Sequence, residues 1–287
     1  MALDPDPAPA PALDLTVIGS INADLTAVTT RLPGPGETVG GGRLTRDAGG
    51  KGANQAAAAS RLGARTSMVG AVGDDADGRA MLAALAEAGV DTSGVSTVGD
   101  PTGTALIVVD ADGENQIAVC EGANARVDAS GVTLGPDSTL LMQLEISLKT
   151  VTDAALASRG FVAVNAAPAM PLPPELVDRA DLIIVNETEY ALIPQLADAR
   201  RVAVTYGADG AALLEHGERV AFAPAPSVTP VNSVGAGDAF CAALTLALRF
   251  GLPDTDALRA ACAAGAAAVT DPAAQARLHP LEHYLGA

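Results

Sequence analysis

VNSVGAGDAFCAALTLALRF, residues Val231–Phe250, sets three small residues, Gly235, Ala236 and Gly237, just ahead of a long apolar stretch with helical spacing. Backbone without bulky side chains at a helix start leaves several amide hydrogens able to converge on one anion. Asp238 falls in the first turn beside those amides, where a carboxylate can take a proton from a hydroxyl while phosphate charge is neutralised next to it. The same residue also fits a plain helix N-cap after a Gly-rich turn, and this segment alone leaves both readings open.

The chain of 287 residues is long enough for one large α/β domain, alone or with a small appendage. Hydrophobic residues make up 49%, yet no apolar run reaches the roughly 18 positions needed to cross a bilayer. Residues 1–13, rich in Pro and Ala and without Lys or Arg, read as a disordered tail and not as a secretory signal. Cys120, Cys241 and Cys262 are far apart and odd in number, which fits a reducing cytoplasm. Seventeen basic against 34 acidic side chains give a net charge of -17, which disfavours nucleic acid and anionic membranes as partners. A phosphate ligand must then be held locally, by amides, a few cations and a divalent metal.

Apolar runs at Leu15–Ser20, Thr139–Leu144, Asp181–Val185 and Val202–Thr205 read as buried parallel strands, and helical patterns between them give a β-α-β rhythm. Ligands of such sheets gather at the strands' carboxyl ends. Asn22 and Asp24, Glu145, and Asn186 with Glu189 all follow strand ends, so each is a candidate for that rim; turn formation, a solvated charge and a capping box are their plain alternatives. Ala48-Gly-Gly-Lys-Gly-Ala-Asn-Gln55 brings Gly50, Lys51 and Asn54 to a helix N-terminus. It is not a Walker A loop, because Thr45 and Gly52 stand where that motif needs Gly and Ser or Thr. Thr205, Gly207 and Gly210 can admit a nucleotide phosphate or make a tight turn. The regions 26–46 and 104–120 lack helical periodicity and suggest a small separate sheet, with a hairpin turn at Asp110–Asn115 and not a calcium loop. Asp74 and Asp75 are expected to cap a helix, and His279 and His283 to be surface residues, since no third zinc ligand is near in sequence.

Taken together, Gly19–Asp24, Pro35–Val39, Gly49–Ala56, Gly73–Asp75, Gly122–Asn124, Met142–Glu145, Asn186–Glu189, Thr205–Gly210 and Gly235–Phe240 resemble, in order, the motifs of the ribokinase-like carbohydrate kinases, the phosphofructokinase-B group. The resemblance implies a Rossmann-like fold, a central mostly parallel sheet flanked by helices over residues 14–287, with a β-sheet lid from about 26–46 and 104–120 through which such enzymes dimerise. It implies transfer of the ATP γ-phosphate to the terminal hydroxymethyl of a furanose, with D-ribose the expected acceptor. Asp238 would be the base and the Gly235, Ala236 and Gly237 amides the anion hole. Asn22, Asp24, Gly50, Lys51, Asn54 and Glu145 would hold the sugar; Asn186, Thr205, Gly207 and Gly210 would line the nucleotide, with Glu189 near Mg2+ through water. Three departures stand out. Asn232 replaces the usual Asp of a K+ site, Pro272 and Ala273 replace a basic residue and Gly in the loop expected to complete it, and only 18 residues separate Asn186 from Thr205, suggesting a trimmed helical excursion. A nucleoside or another sugar is the alternative acceptor. A non-catalytic sugar-binding protein is the reading from a different class, which an intact Asp238 opposes.

Overall fold

The computed structural model describes residues 13–286. The expected tail lies, except for Leu13, outside the described residues. The chain runs β1 (Asp14–Ile18), β2 (Asn22–Val28), β3 (Arg43–Gly49), α1 (Lys51–Arg61), β4 (Arg65–Gly73), α2 (Ala76–Glu87), β5 (Asp91–Val98), β6 (Gly103–Val109) and β7 (Asn115–Cys120). It continues with β8 (Thr139–Gln143), α3 (Leu148–Ala157), β9 (Phe161–Asn165), α4 (Pro174–Arg179), β10 (Leu182–Asn186), α5 (Glu187–Leu192) and β11 (Val202–Thr205). The hairpin β12 (Ala211–Glu215) and β13 (Glu218–Ala223) precedes the two long helices α6 (Ala236–Arg249) and α7 (Asp254–Val269).

Nine strands form one sheet in the order β13-β12-β11-β10-β9-β8-β1-β4-β5, parallel except for the β12–β13 edge. Their side chains explain the layers. Leu140, Met142, Val162, Val164, Ile183 and Val185 point to one face and join the apolar residues of α3 and α4. The alternate residues Leu141, Ala163, Leu182 and Ile184 point to the other and meet α1, α6 and α7, as the period of two dictates. Alanine dominates the contacting faces of α6 and α7, so those helices approach closely. Cys241 and Cys262 are buried there as small hydrophobes, while Cys120 is exposed.

Two excursions leave the main sheet and pair with each other in the order β3-β2-β6-β7. β2 runs parallel to β6, starting from Asn22 opposite Gly103. Pairing therefore reaches beyond 26–46, back to Asn22 and on to Gly49, and the turn alternative for Asn22 and Asp24 does not hold: both are strand residues. Asn124 secures this. Its side chain accepts from the Ile21 amide at 2.9 Å and donates to the Ile21 carbonyl at 3.2 Å and to Asn22 Oδ1 at 2.7 Å. Asp75, as read from sequence, caps α2, accepting from the Gly78 amide at 2.7 Å. The Asp110 carboxylate likewise accepts from the Asp112 and Glu114 amides in the β6–β7 turn.

β1 lies between β8 and β4, and the chain proceeds outward from it on both sides, so a crevice opens at the carboxyl ends of β1 and β8. There Ser20 Oγ donates to Glu145 Oε2 at 2.6 Å. The start of α1 is drawn to the same point: Ala53 N donates to Ser20 O at 2.9 Å, and Lys51 N to Glu145 Oε2 at 3.1 Å. Gly50 makes the approach possible with φ +87°, and a Cβ there would stand 2.7 Å from the Asn22 nitrogen.

Candidate active site

The crevice is a cleft of about 460 Å³ between the small sheet, the start of α1 and the start of α6. Asn22, Asp24, Gly50, Lys51, Asn54 and Glu145 line one end, and Asn186, Glu189, Thr205, Gly235, Gly237 and Asp238 the other. A second cleft of about 480 Å³, lined by Gly207, Gly210, Ala236 and apolar residues of α7, shares Thr205, Ser233, Gly237 and Phe240 with the first. The two open onto each other at the N-terminus of α6. Asn232 lines neither.

Gly235 is the N-cap of α6, in the left-handed region at φ +81°, and no side chain caps it. Asp238, third in the helix, does not cap it, so the cap alternative is excluded here. Its carboxylate is buried and turned to α1, accepting from Asn54 Nδ2 at 3.2 Å and Gln55 Nε2 at 3.0 Å. The first-turn amides of α6 have no intrahelical acceptors. Ala236 N makes one long bond, 3.4 Å, to Ser233 O.

Asn186 and Glu189 form a capping box at the start of α5: Asn186 Oδ1 accepts from Glu189 N and Glu189 Oε2 from Asn186 N, both at 2.8 Å. The box is compatible with a place on the rim, since both side chains still border the cleft. The short Asn186–Thr205 segment consists of α5 and one 3₁₀ turn, Pro194–Ala197.

Several polar residues escaped the sequence reading. Gln55 spends both amide hydrogens, on Asp238 and on Asn165 Oδ1 at 3.1 Å, and its oxygen accepts from Gln143 at 2.6 Å. Helical spacing from Lys51 through Asn54 to Gln55 puts all three on one face of α1 and was the available signal. Ser20 and Asn124, which hold Glu145 and Asn22, fall within the Gly19–Asp24 and Gly122–Asn124 motifs, but their spacing gave them no role.

Three carboxylates, Glu145, Asp47 and Asp238, act on Asp24, and Lys51 acts on both Asp24 and Asp238. Burial, helped by Glu145, Asp47 and Asp238, pushes Asp24 up to about 7. Burial likewise raises Asp238, against the pull of Lys51, Gln55 and Asn54. Burial lowers the Lys51 ammonium, but Asp238 and Glu145 outweigh it and the net direction is up. Folding thus favours neutral Asp24: that contribution is present below its unfolded value near 3.8 and is lost as pH rises through about 7. Asp24→Asn is therefore expected to raise Tm by a few degrees at pH 8 and hardly at pH 4, which thermal melts at the two pH values check.

Among the described residues no group of three or more His, Cys, Asp and Glu is arranged to hold a metal, and no helix is long and apolar enough to cross a membrane. His279 and His283 pack on each other, ring centroids 4.5 Å apart.

Residues 12–280 match the model of the pfkB family carbohydrate kinases. The chain belongs to this family. It is similar to the ribokinase of Schizosaccharomyces pombe, 33% identical over 292 residues that cover 90% of this chain and 92% of that one. The ribokinase of Thermotoga maritima superposes with a TM-score of 0.85 at 28% identity, covering 96% of this chain and 100% of its own. A ribokinase of Arabidopsis thaliana complexed with ribose and ATP gives a TM-score of 0.84 at 30% identity, covering 96% and 99%. The family is one of kinases, so the two joined clefts belong to an enzyme with a phosphoryl donor and a sugar acceptor.

Proposed function

We propose that this kinase phosphorylates the terminal hydroxymethyl of D-ribose with ATP. The observation that carries the reading is the place of Asp238: a buried carboxylate lining the polar cleft, next in sequence to Gly237, which lines both that cleft and the apolar one. The polar cleft suits a polyol. Asn22, Asp24, Asn54, Lys51 and Glu145 offer donors and acceptors, and Asn54 Oδ1 is buried without a hydrogen-bond partner among the described residues. A sugar lacking or inverting a hydroxyl would strand such groups, a stronger discrimination than apolar fit provides.

In this reading Asp238 accepts the hydroxymethyl proton as its oxygen attacks the γ-phosphorus. The raised affinity of the buried carboxylate for a proton suits a base, and the amides of Asn54 and Gln55 hold its oxygens in place. Gly235, Ala236 and Gly237 turn their N–H groups and the positive end of α6 to the charge that develops on the transferring group. The apolar cleft takes the nucleotide base, with Thr205, Gly207 and Gly210 along the phosphates and Asn186 beside them. Mg2+ bound with ATP supplies charge neutralisation on the phosphate oxygens. Glu189, a carboxylate that borders the cleft beside Asn186, fits contact with that ion through water.

The small sheet serves as a lid. Ala105, Ile107, Ile117 and Val119 face the cleft and would exclude water over the bound sugar. On the opposite face of the same small sheet Leu44 of β3 and Leu106 of β6 are 66% and 46% exposed, which supports a homodimer joined through the lids. Twice the mass of the chain in light scattering is the expected result. A reducing cytoplasm is the proposed compartment, in keeping with the unpaired thiols.

ADP release with ATP, Mg2+ and a panel of ribose, deoxyribose, other sugars and nucleosides tests the assignment. Ribose is expected to give the highest kcat/KM; a nucleoside or another sugar in its place would overturn the ribose assignment while leaving the family intact. With ribose, kcat/KM is expected to fall as pH drops through about 7, because protonated Asp24 no longer accepts from sugar hydroxyls. Asp24→Asn is expected to remove the part of the fall due to Asp24, leave any due to protonation of Asp238, and remain weak at every pH.

A further inference from the structure

Asn232 stands at the head of the turn that carries the anion-binding amides, and its side chain joins two loops. Its Oδ1 accepts from Val234 N at 3.0 Å and its Nδ2 donates to the Pro272 carbonyl at 2.9 Å. The orientation is dictated by these partners: exchanging O and N would set oxygen against oxygen and N–H against N–H. Backbone bonds run alongside, with Val231 N and Asn232 N both donating to Val269 O at 2.9 and 3.1 Å. Across the junction the Asp271 carboxylate is already occupied, accepting from Ala273 N at 2.8 Å and Arg277 N at 3.0 Å. Gly235, the N-cap of α6, backs directly onto the Ala274 carbonyl, where a Cβ would overlap it. The anion-binding turn is thus hydrogen-bonded to the 269–277 loop by neutral groups, while Asp271 is spent within that loop.

A carboxylate at position 232 would bring two bare oxygens within about 3 Å, an arrangement that needs a proton or a cation between them. The amide supplies its own hydrogen at that point. A hard cation needs several oxygen ligands, and here it would meet an N–H donor and a carbonyl already engaged, so the residues present do not fit a monovalent ion at the position where the family pattern has the Asp of a K+ site. We infer that Asn232 is a positioning residue whose amide takes the place of that ion, and that phosphoryl transfer by this chain is independent of monovalent cations. The inference rests on the kinase reading above.

Rates with ribose and Mg-ATP in KCl, NaCl and tetramethylammonium chloride at equal ionic strength test it. Wild type is expected to agree within about twofold across the three salts, and a potassium activation of about tenfold or more would overturn the inference. Asn232→Asp is expected to lose kcat, more than ribose affinity, in tetramethylammonium and to recover it in KCl. Full activity of that variant without any small cation would overturn the role of the amide. Melting temperatures give a reading apart from catalysis: wild type is expected not to respond to KCl over tetramethylammonium chloride, and a potassium-specific rise in its Tm counts against the inference even if the variant fails to fold. Absence of ADP in every salt would instead defeat the kinase reading, and the melts would still decide the question of the ion.

Discussion

Asp238→Asn is expected to lower kcat by roughly 10²- to 10⁴-fold, the usual worth of a positioned base, while ribose binding measured by calorimetry survives. The amide has nearly the same shape and the substitution removes a buried negative charge, so the fold is expected to be retained. The hydrogen-bond partners sharpen the expectation. Asn54 and Gln55 each present an N–H to the carboxylate; an Asn side chain can satisfy one with its oxygen but turns its own NH₂ toward the other. A modest loss of ribose affinity through a shifted Asn54 is therefore expected beside the large loss in turnover. Turnover within a fewfold of wild type would remove Asp238 from the chemistry.

Gly235→Ala is the second large effect. The residue sits at φ +81° with the Ala274 carbonyl oxygen where a Cβ would stand, so a methyl group meets both a left-handed backbone penalty of about 1–2 kcal/mol and a direct overlap. The turn must move, and the α6 amides move with it. Loss of one aligned donor in sites of this kind costs about 10²–10³ in kcat, and a fall of that order is expected, with ribose affinity nearly retained because the polar end of the cleft lies on other elements. Parallel kcat and ribose-binding measurements check the split. A variant with unchanged kcat would show that these amides do not face the reacting group.

The parts of this site that could be read in the sequence are those whose signal is local. A short apolar run followed by a polar residue marks a strand end, and Glu145 and Asn186 were found that way; glycines before a helical pattern pointed to Gly50 and Gly235. What was hidden depends on partners far along the chain. Gln55 is one amide in an alanine-rich helix until folding brings Gln143 and Asp238, 88 and 183 residues away, against it. Asn124 binds Ile21 and Asn22 across about a hundred positions in the same manner. Strand β5 was missed because its alternation is mostly exposed and polar, and β12–β13 because neither strand has a strong pattern. His216 and Gly217, both at positive φ, make the tight turn between those two and were the overlooked clue. The turn alternative for Asn22 and Asp24 fails because pairing with β3 and β6 keeps both residues extended.

The central claim is that the polar cleft presents a sugar's terminal hydroxymethyl to Asp238 while the α6 amides receive the phosphoryl group. Phosphorus and carbon NMR of the products from ribose, ATP and Mg2+ test this most directly. The account expects one equivalent of ADP per ribose 5-phosphate, with phosphorus coupled to C5 and none on the anomeric oxygen. Phosphate released to water, or carried on any other sugar oxygen, would contradict it.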